Sequence, residues 1–151
     1  MGGNAATPRV LASALLERSR WIKDLHVGHV LLLGDDPFPA ERTHGRIRHH
    51  AWFVGPADRA AVNAGDSDYV PCHLSEIPRL IRSGQPPLDT AMLMVSPPDH
   101  HGLMSLGVEV LASLAAAESA RRVCVQVNPR MPRVHGNSYL HVSEVDAIVE
   151  A

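Results

Sequence analysis

A chain of 151 residues, 45% hydrophobic and 20% charged, is long enough to bury one core and too short for two ordinary domains. Its formal net charge of −2 supplies no field that would gather a polyanion, so nucleic acid and acidic membrane surfaces are set aside as partners. No window approaches the roughly twenty apolar residues of a membrane span, and MGGNAATPRV lacks the basic and apolar regions of a signal peptide, so the expected setting is cytoplasmic.

The first element is a helix. Thr7 can cap it, Pro8 suits a first position that needs no N–H, and Val10, Leu11, Ala14 and Leu15 form one apolar stripe ending near Trp21. HVLLLG, residues 29–34, reads as a short buried strand closed by Gly34 and the Asp35-Asp36-Pro37 turn, and residues 49–55 form a weaker strand. Residues 57–64 are helical and stop at Gly65; a short strand over 68–70 leads to Pro71. Ser75 can cap a helix carrying Ile77, Leu80 and Ile81 and ending at Gly84. DTAMLMV, residues 89–95, is the clearest interior strand. Residues 107–120, rich in Ala and Leu, predict a helix with Arg121 and Arg122 at its negative end, and Glu118 is a surface partner for either arginine. Residues 123–128 form the next strand, and 139–151 fit either a strand or a short capped helix. Cys72 and Cys124 fall in unrelated contexts and read as reduced and buried.

This alternation is that of an α/β domain with a mostly parallel sheet flanked by helices. Its ends look unfinished. A glycine-rich turn in such folds follows a strand, whereas GGNAATP starts at the first methionine, and EVDAIVEA stops without a polar tail. The chain reads as a single partial domain, residues 1–151, truncated at both ends. An incomplete sheet would expose an unpaired edge and apolar surface, which predicts self-association into homo-oligomers.

Two segments have the composition of functional loops. SPPDHHGLMSLG, residues 96–107, and QVNPRMPRVHG, residues 126–136, each follow a buried strand with Pro, Gly, Asp, Asn, His and Arg. The two strand exits are expected to face one site. Asn128 can hydrogen-bond a carboxylate or carbonyl, and Arg130 or Arg133 can pair with a carboxylate or phosphate; the alternative is a stiff surface loop with solvated arginines. In GGNAATP the small residues Gly3, Asn4 and Ala5 would let a ligand approach backbone, and free N–H groups at the following helix start favour an anionic oxygen; a flexible capped terminus is the plain alternative.

Two sharper readings of the first loop are weak. Asp99, His100 and His101 with His44, His49, His50 or His73 offer imidazole and carboxylate to zinc or iron, yet adjacent histidines point apart and no HxH or HExxH spacing supports convergence, so no metal ligand is assigned. Ser96 and Ser105 lie outside any GxSxG context and serve better as turn formers than as nucleophiles. The glutamates, Glu109 included, are expected to be solvated or to cap helices.

The run from Asp68 to Glu150, with RHHAWFVGPADRAAVNAG before it and more loosely GGNAATP, resembles the first domain of the acetyl-CoA hydrolase/transferase family, which contains the 4-hydroxybutyrate CoA-transferases. The resemblance covers essentially the whole chain. It implies a protein about three times as long in two similar α/β halves, with coenzyme A as a substrate and no covalently bound cofactor. A glutamate of the second half would attack an acyl-CoA thioester and become a glutamyl-CoA that a second carboxylate, of the acetate or short hydroxy-acid class, resolves. No catalytic residue is then expected here, and the C-terminal half, in the same or a separate chain, is the implied partner. The resemblance also turns the loops into pocket walls: Gly3, Asn4 and Ala5; Ser96, Pro97, Asp99, His101 and Gly102; Asn128, Arg130, Met131 and Arg133. His100 departs from the family pattern, where many relatives are expected to carry an acidic residue. Two other readings stay open, a domain that binds an acyl or carboxylate ligand without turnover, and a histidine-based metal-binding protein.

Overall fold

The computed structural model describes residues 1–85 and 87–150. Its strands are β1 Leu25–His29, β2 Ile47–Ala51, β3 Ser67–Tyr69, β4 Thr90–Val95, β5 Leu103–Ser105, β6 Arg122–Val127, β7 Tyr139–His141 and β8 Ala147–Glu150. The helices are α1 Arg9–Arg18, α2 Ala40–Thr43, α3 Pro56–Ala64, α4 Ile77–Arg82 and α5 Ser113–Ser119. Two three-stranded sheets run in the orders β1-β2-β3 and β4-β6-β8, and β5 pairs with β7 beside them. Every pairing in the three-stranded sheets is parallel.

Parallel strands need both faces covered, and the sequence provides for it. On β4, Ala91, Leu93 and Val95 point into a core shared with Val123, Val125 and Val127 of β6 and with Met104, Leu106 and Leu140 of the antiparallel ladder. In the first sheet, Ala12 and Leu16 of α1 pack on Val27, Ile47 and Phe38. A third cluster joins Val30 to Ile77 and Ile81 of α4 and to Ala112 and Ala115 beside and within α5.

Residues 1–4 join the two sheets. Gly2 N–H donates to the Met92 carbonyl of β4 at 2.8 Å, while Asn4 N–H donates to the Leu31 carbonyl at 2.6 Å, just past β1. Asn4 also makes a parallel bridge to Leu32. Gly3 is required in this seam because a Cβ there would lie 2.5 Å from the Leu31 carbonyl oxygen.

Several expected elements shift. The strand expected over 29–34 ends its ladder at His29, because pairing then passes from β2 to the N-terminal segment at Leu31 and Leu32. The buried face of α1 is centred on Ala12 and Leu16; of the expected stripe, Leu15 packs against the same cluster and Leu11 is half-buried, while Val10 and Ala14 are exposed. Pro8 precedes the helix, and Thr7 Oγ donates to the Asn4 carbonyl at 3.0 Å instead of capping. The helix expected over 107–120 forms only at Ser113–Ser119, for Gly107 takes a positive φ of 59° and the residues after it are drawn into tertiary contacts. Glu118 pairs with Arg82 of α4 at 2.8 Å, since the chain is already extended at Ala120 and carries Arg121 and Arg122 away. The tail uses both expected forms, with a single 3-10 turn, Val142–Glu144, between β7 and β8; Ala151 lies outside the described residues. Cys72 and Cys124 are free but only half-buried.

Candidate functional site

β4 and β6 end level with each other, Val95 beside Val127, so the loops that follow start side by side. Asn128 N–H donates to the Val95 carbonyl at 2.9 Å and fixes that start. The carboxyl ends of parallel strands are where α/β sheets place ligands.

The first loop is tied to itself. Ser96 is buried; its N–H donates to the Ser105 carbonyl and its hydroxyl accepts from Ser105 N–H, each at 2.9 Å. Ser105 Oγ in turn accepts from Gly107 and Val134 N–H, each at 3.2 Å. Both hydroxyls serve backbone turns, as expected of turn formers. One Asp99 oxygen accepts from His101 and Leu103 N–H at 2.9 Å. Gly102 supplies the positive φ, 78°, that lets the chain double back there. Pro97 and His101 are exposed at the rim.

Arg133 clamps the second loop to the first. One terminal nitrogen donates to Ser96 Oγ and to the Pro97 and Leu103 carbonyls at 3.1–3.2 Å, and the other to Asp99 at 2.9 Å. The Leu103 amide, with His101 N–H and Arg133 after it, holds the Asp99 carboxyl below the usual carboxylate range. Arg133 is therefore engaged on protein, whereas Arg130 is exposed and makes no ion pair among the described residues. Asn128 Oδ1 accepts from Arg130 N–H at 2.9 Å, forming the turn that presents Arg130. Met131 is buried against Gly107, where a Cβ would meet its sulfur at 2.2 Å.

The N-terminal loop reaches the same corner through a residue expected to be solvated. Glu109 is only 3% exposed and accepts a hydrogen bond from the Asn4 side-chain amide. Val108 and Val110 on either side are exposed. Gly3 is buried, Asn4 half-buried with a φ of 51°, and Ala5 exposed. At the helix start behind them, Gln126 Oε1 accepts from Val10 N–H at 2.9 Å and so occupies one of the amides expected to face an anion. The structure thus brings together Asn4, Ser96, Pro97, Asp99, Met131 and Arg133 through a chain of contacts, with Glu109 as the residue that sequence reasoning missed. The rings of His100 and His101 lie close together at the surface, tilted by 45°, and gather no ligand set among the described residues.

The match to the model of the acetyl-CoA hydrolase/transferase N-terminal domain runs over residues 1–151. The chain belongs to the acetyl-CoA hydrolase/transferase family. It is 40% identical to the 4-hydroxybutyrate coenzyme A transferase of Clostridium kluyveri, over 95% of this chain and 34% of that protein. Against the succinyl-CoA:cyclohexane-1-carboxylate CoA transferase of Geobacter metallireducens the identity is 38%, over 95% and 32%. The crystal structure of RipA from Yersinia pestis superposes with a TM-score of 0.89 at 38% identity, over 100% of this chain and 38% of that one. The chain spans about a third of the length of these relatives. As a member of the family it keeps the α/β, mostly parallel architecture expected from its sequence. No helix among the described residues is long and apolar enough to cross a membrane.

Proposed function

We propose that this chain builds one wall of the acyl-CoA site of a CoA-transferase that moves coenzyme A between an acyl-CoA and a carboxylate of the acetate or short hydroxy-acid class. The observation that carries the reading is the meeting of three loops, at Asn4, at Ser96 to Gly102 and at Asn128 to Arg133, around the level ends of β4 and β6 in a chain whose relatives are CoA-transferases. Arg130, exposed and presented by the Asn128 turn, is the residue to meet a carboxylate or a coenzyme A phosphate.

The attacking glutamate belongs to the part of the family protein that this chain does not span. Its carboxylate adds to the thioester carbonyl and expels the coenzyme A thiolate, leaving an acyl-glutamyl anhydride. The thiolate then attacks the glutamyl carbonyl, expels the acyl carboxylate and leaves a glutamyl-CoA thioester. A second carboxylate reverses both steps. Coenzyme A is substrate throughout. The partner is the remaining portion of the enzyme, in the same polypeptide or a separate one. Glu109 holds Asn4 and is not the nucleophile.

The test is coenzyme A exchange between acetyl-CoA and butyrate, with the chain alone and with the complementary portion of the Clostridium kluyveri relative. Turnover should need both parts, and mass spectrometry of the trapped intermediate should find the adduct on the complementary portion. Turnover by the chain alone, or an adduct on one of its own glutamates, overturns the proposal.

A further inference from the structure

Three ligand-type side chains meet in the interior of the first sheet, away from the loops described above. His29 ends β1, His49 lies on β2, and Asp58 sits in the first turn of α3; their side chains are 0%, 3% and 0% exposed. His29 Nε2 lies 3.3 Å from Asp58 Oδ1 and 3.3 Å from His49 Nδ1, and His49 Nδ1 lies 3.9 Å from Asp58 Oδ1. Neither Asp58 oxygen accepts a well-formed hydrogen bond, and His29 Nδ1 is also unpartnered. A carboxylate buried so completely with so little hydrogen bonding is costly, and native structures compensate it with a better-placed donor, a neutralising proton or a cation.

The spacing matches a metal. Four ligands at about 2.0–2.1 Å from a tetrahedral zinc are separated by about 3.3 Å, which two of the three pairs reproduce. The far side of His49 is arranged as a ligating histidine requires: its Nε2 faces the Phe38 carbonyl at 3.3 Å and Asp36 at 3.5 Å, partners that fix the tautomer leaving Nδ1 free to coordinate. We infer that His29 Nε2, His49 Nδ1 and Asp58 form a buried site for a divalent transition metal, zinc by the chemistry of the donors, that fastens β1, β2 and α3 together. The second Asp58 oxygen or a water completes the coordination.

Because the site is sealed, the metal enters during folding. The purified chain should be unfolded in guanidinium with EDTA, then refolded with zinc, with cobalt, or with neither. The expected result is stoichiometric zinc retained through gel filtration, a melting temperature raised by zinc, and the strong visible absorption of four-coordinate cobalt. Asp58→Asn should abolish retention, and Asp36→Asn should weaken zinc binding by about 10-fold or more. The exposed His26–His50 pair, 2.6 Å apart, is a rival binder, and His26→Ala/His50→Ala should retain zinc in full. Should Asp58→Asn fail to refold, X-ray absorption of the zinc-loaded wild type must count two imidazoles. A natively folded chain that retains no metal overturns the inference. So does loss of zinc from the His26/His50 variant, or an Asp58→Asn chain that is stabilised in EDTA and indifferent to zinc.

Discussion

Asp99 accepts two backbone amides and the Arg133 guanidinium, which makes the order of the 96–105 loop a matter of pH. Its folded pKa lies below that of the unfolded chain, near 3.9 for an ordinary aspartate. A depressed carboxylate pKa contributes stability that is fully present above the unfolded value and is lost as pH falls through the folded one. Hydrogen-exchange protection of the His101 and Leu103 amides should therefore collapse on acidification below about pH 4, and Asp99→Asn should hold it low and independent of pH. Much of this corner is legible in the sequence, because Pro97, Pro98, Asp99 and Gly102 announce a rigid loop after a buried strand. That Arg133 turns back on the protein is not legible, since spacing carries no information about partners distant in the chain. Glu109 is less legible still. Val108-Glu109-Val110 suggests valines inside and glutamate outside, and the reverse occurs because Asn4, 105 residues away in sequence, supplies the hydrogen bond.

Among the elements, α3 and β4 follow their local signals closely. Gly65 ends α3 with a φ of 83°, the left-handed position that glycine accepts without strain, and β4 lies within the apolar run that predicts it. Elements whose faces are chosen by partners are harder to read. The expected stripe of α1 is turned, because Val27, Ile47 and Phe38 centre the buried face on Ala12 and Leu16 and keep only Leu15 of that stripe against the cluster. Residues 107–112 have helical composition, but burying Glu109 and Met131 outweighs a preference worth only tenths of a kcal/mol per residue. The contact of α4 with α5 rests on Ile77 and Ile81 against Ala115. Ile77 is fully buried, so Ile77→Ala should lower the unfolding free energy by about 2–5 kcal/mol, measured by urea denaturation, with a cavity that alanine neighbours cannot fill.

At the scale of the molecule, the fold is two small parallel sheets joined along their backbones by residues 1–4 and packed together through Val30 against α4 and α5. The α/β class and the strand–helix alternation are legible, but the seam is not, because a run of Met, Gly, Gly and Asn carries no strand signal of its own; only the carbonyls of Leu31 and Met92 make it one. Gly3→Ala sets a methyl 2.5 Å from the Leu31 oxygen, and backbone on both sides leaves it little room to yield. A loss of about 1–3 kcal/mol is expected. It should appear in thermal unfolding as a broadened transition, the two sheets melting less cooperatively than in the wild type.

The same seam dictates an order of assembly. Its four residues are synthesised ahead of β1 and β4 and pair with the backbone of both regions; Asn4 can close on Leu31 early, but the seam stays half-made until Met92 has been added for Gly2. Contacts that span so much of the chain close slowly, and the Asn4–Glu109 hydrogen bond waits longer still. The corner where the three loops meet is thus finished late in folding, after most of the chain that supports it exists.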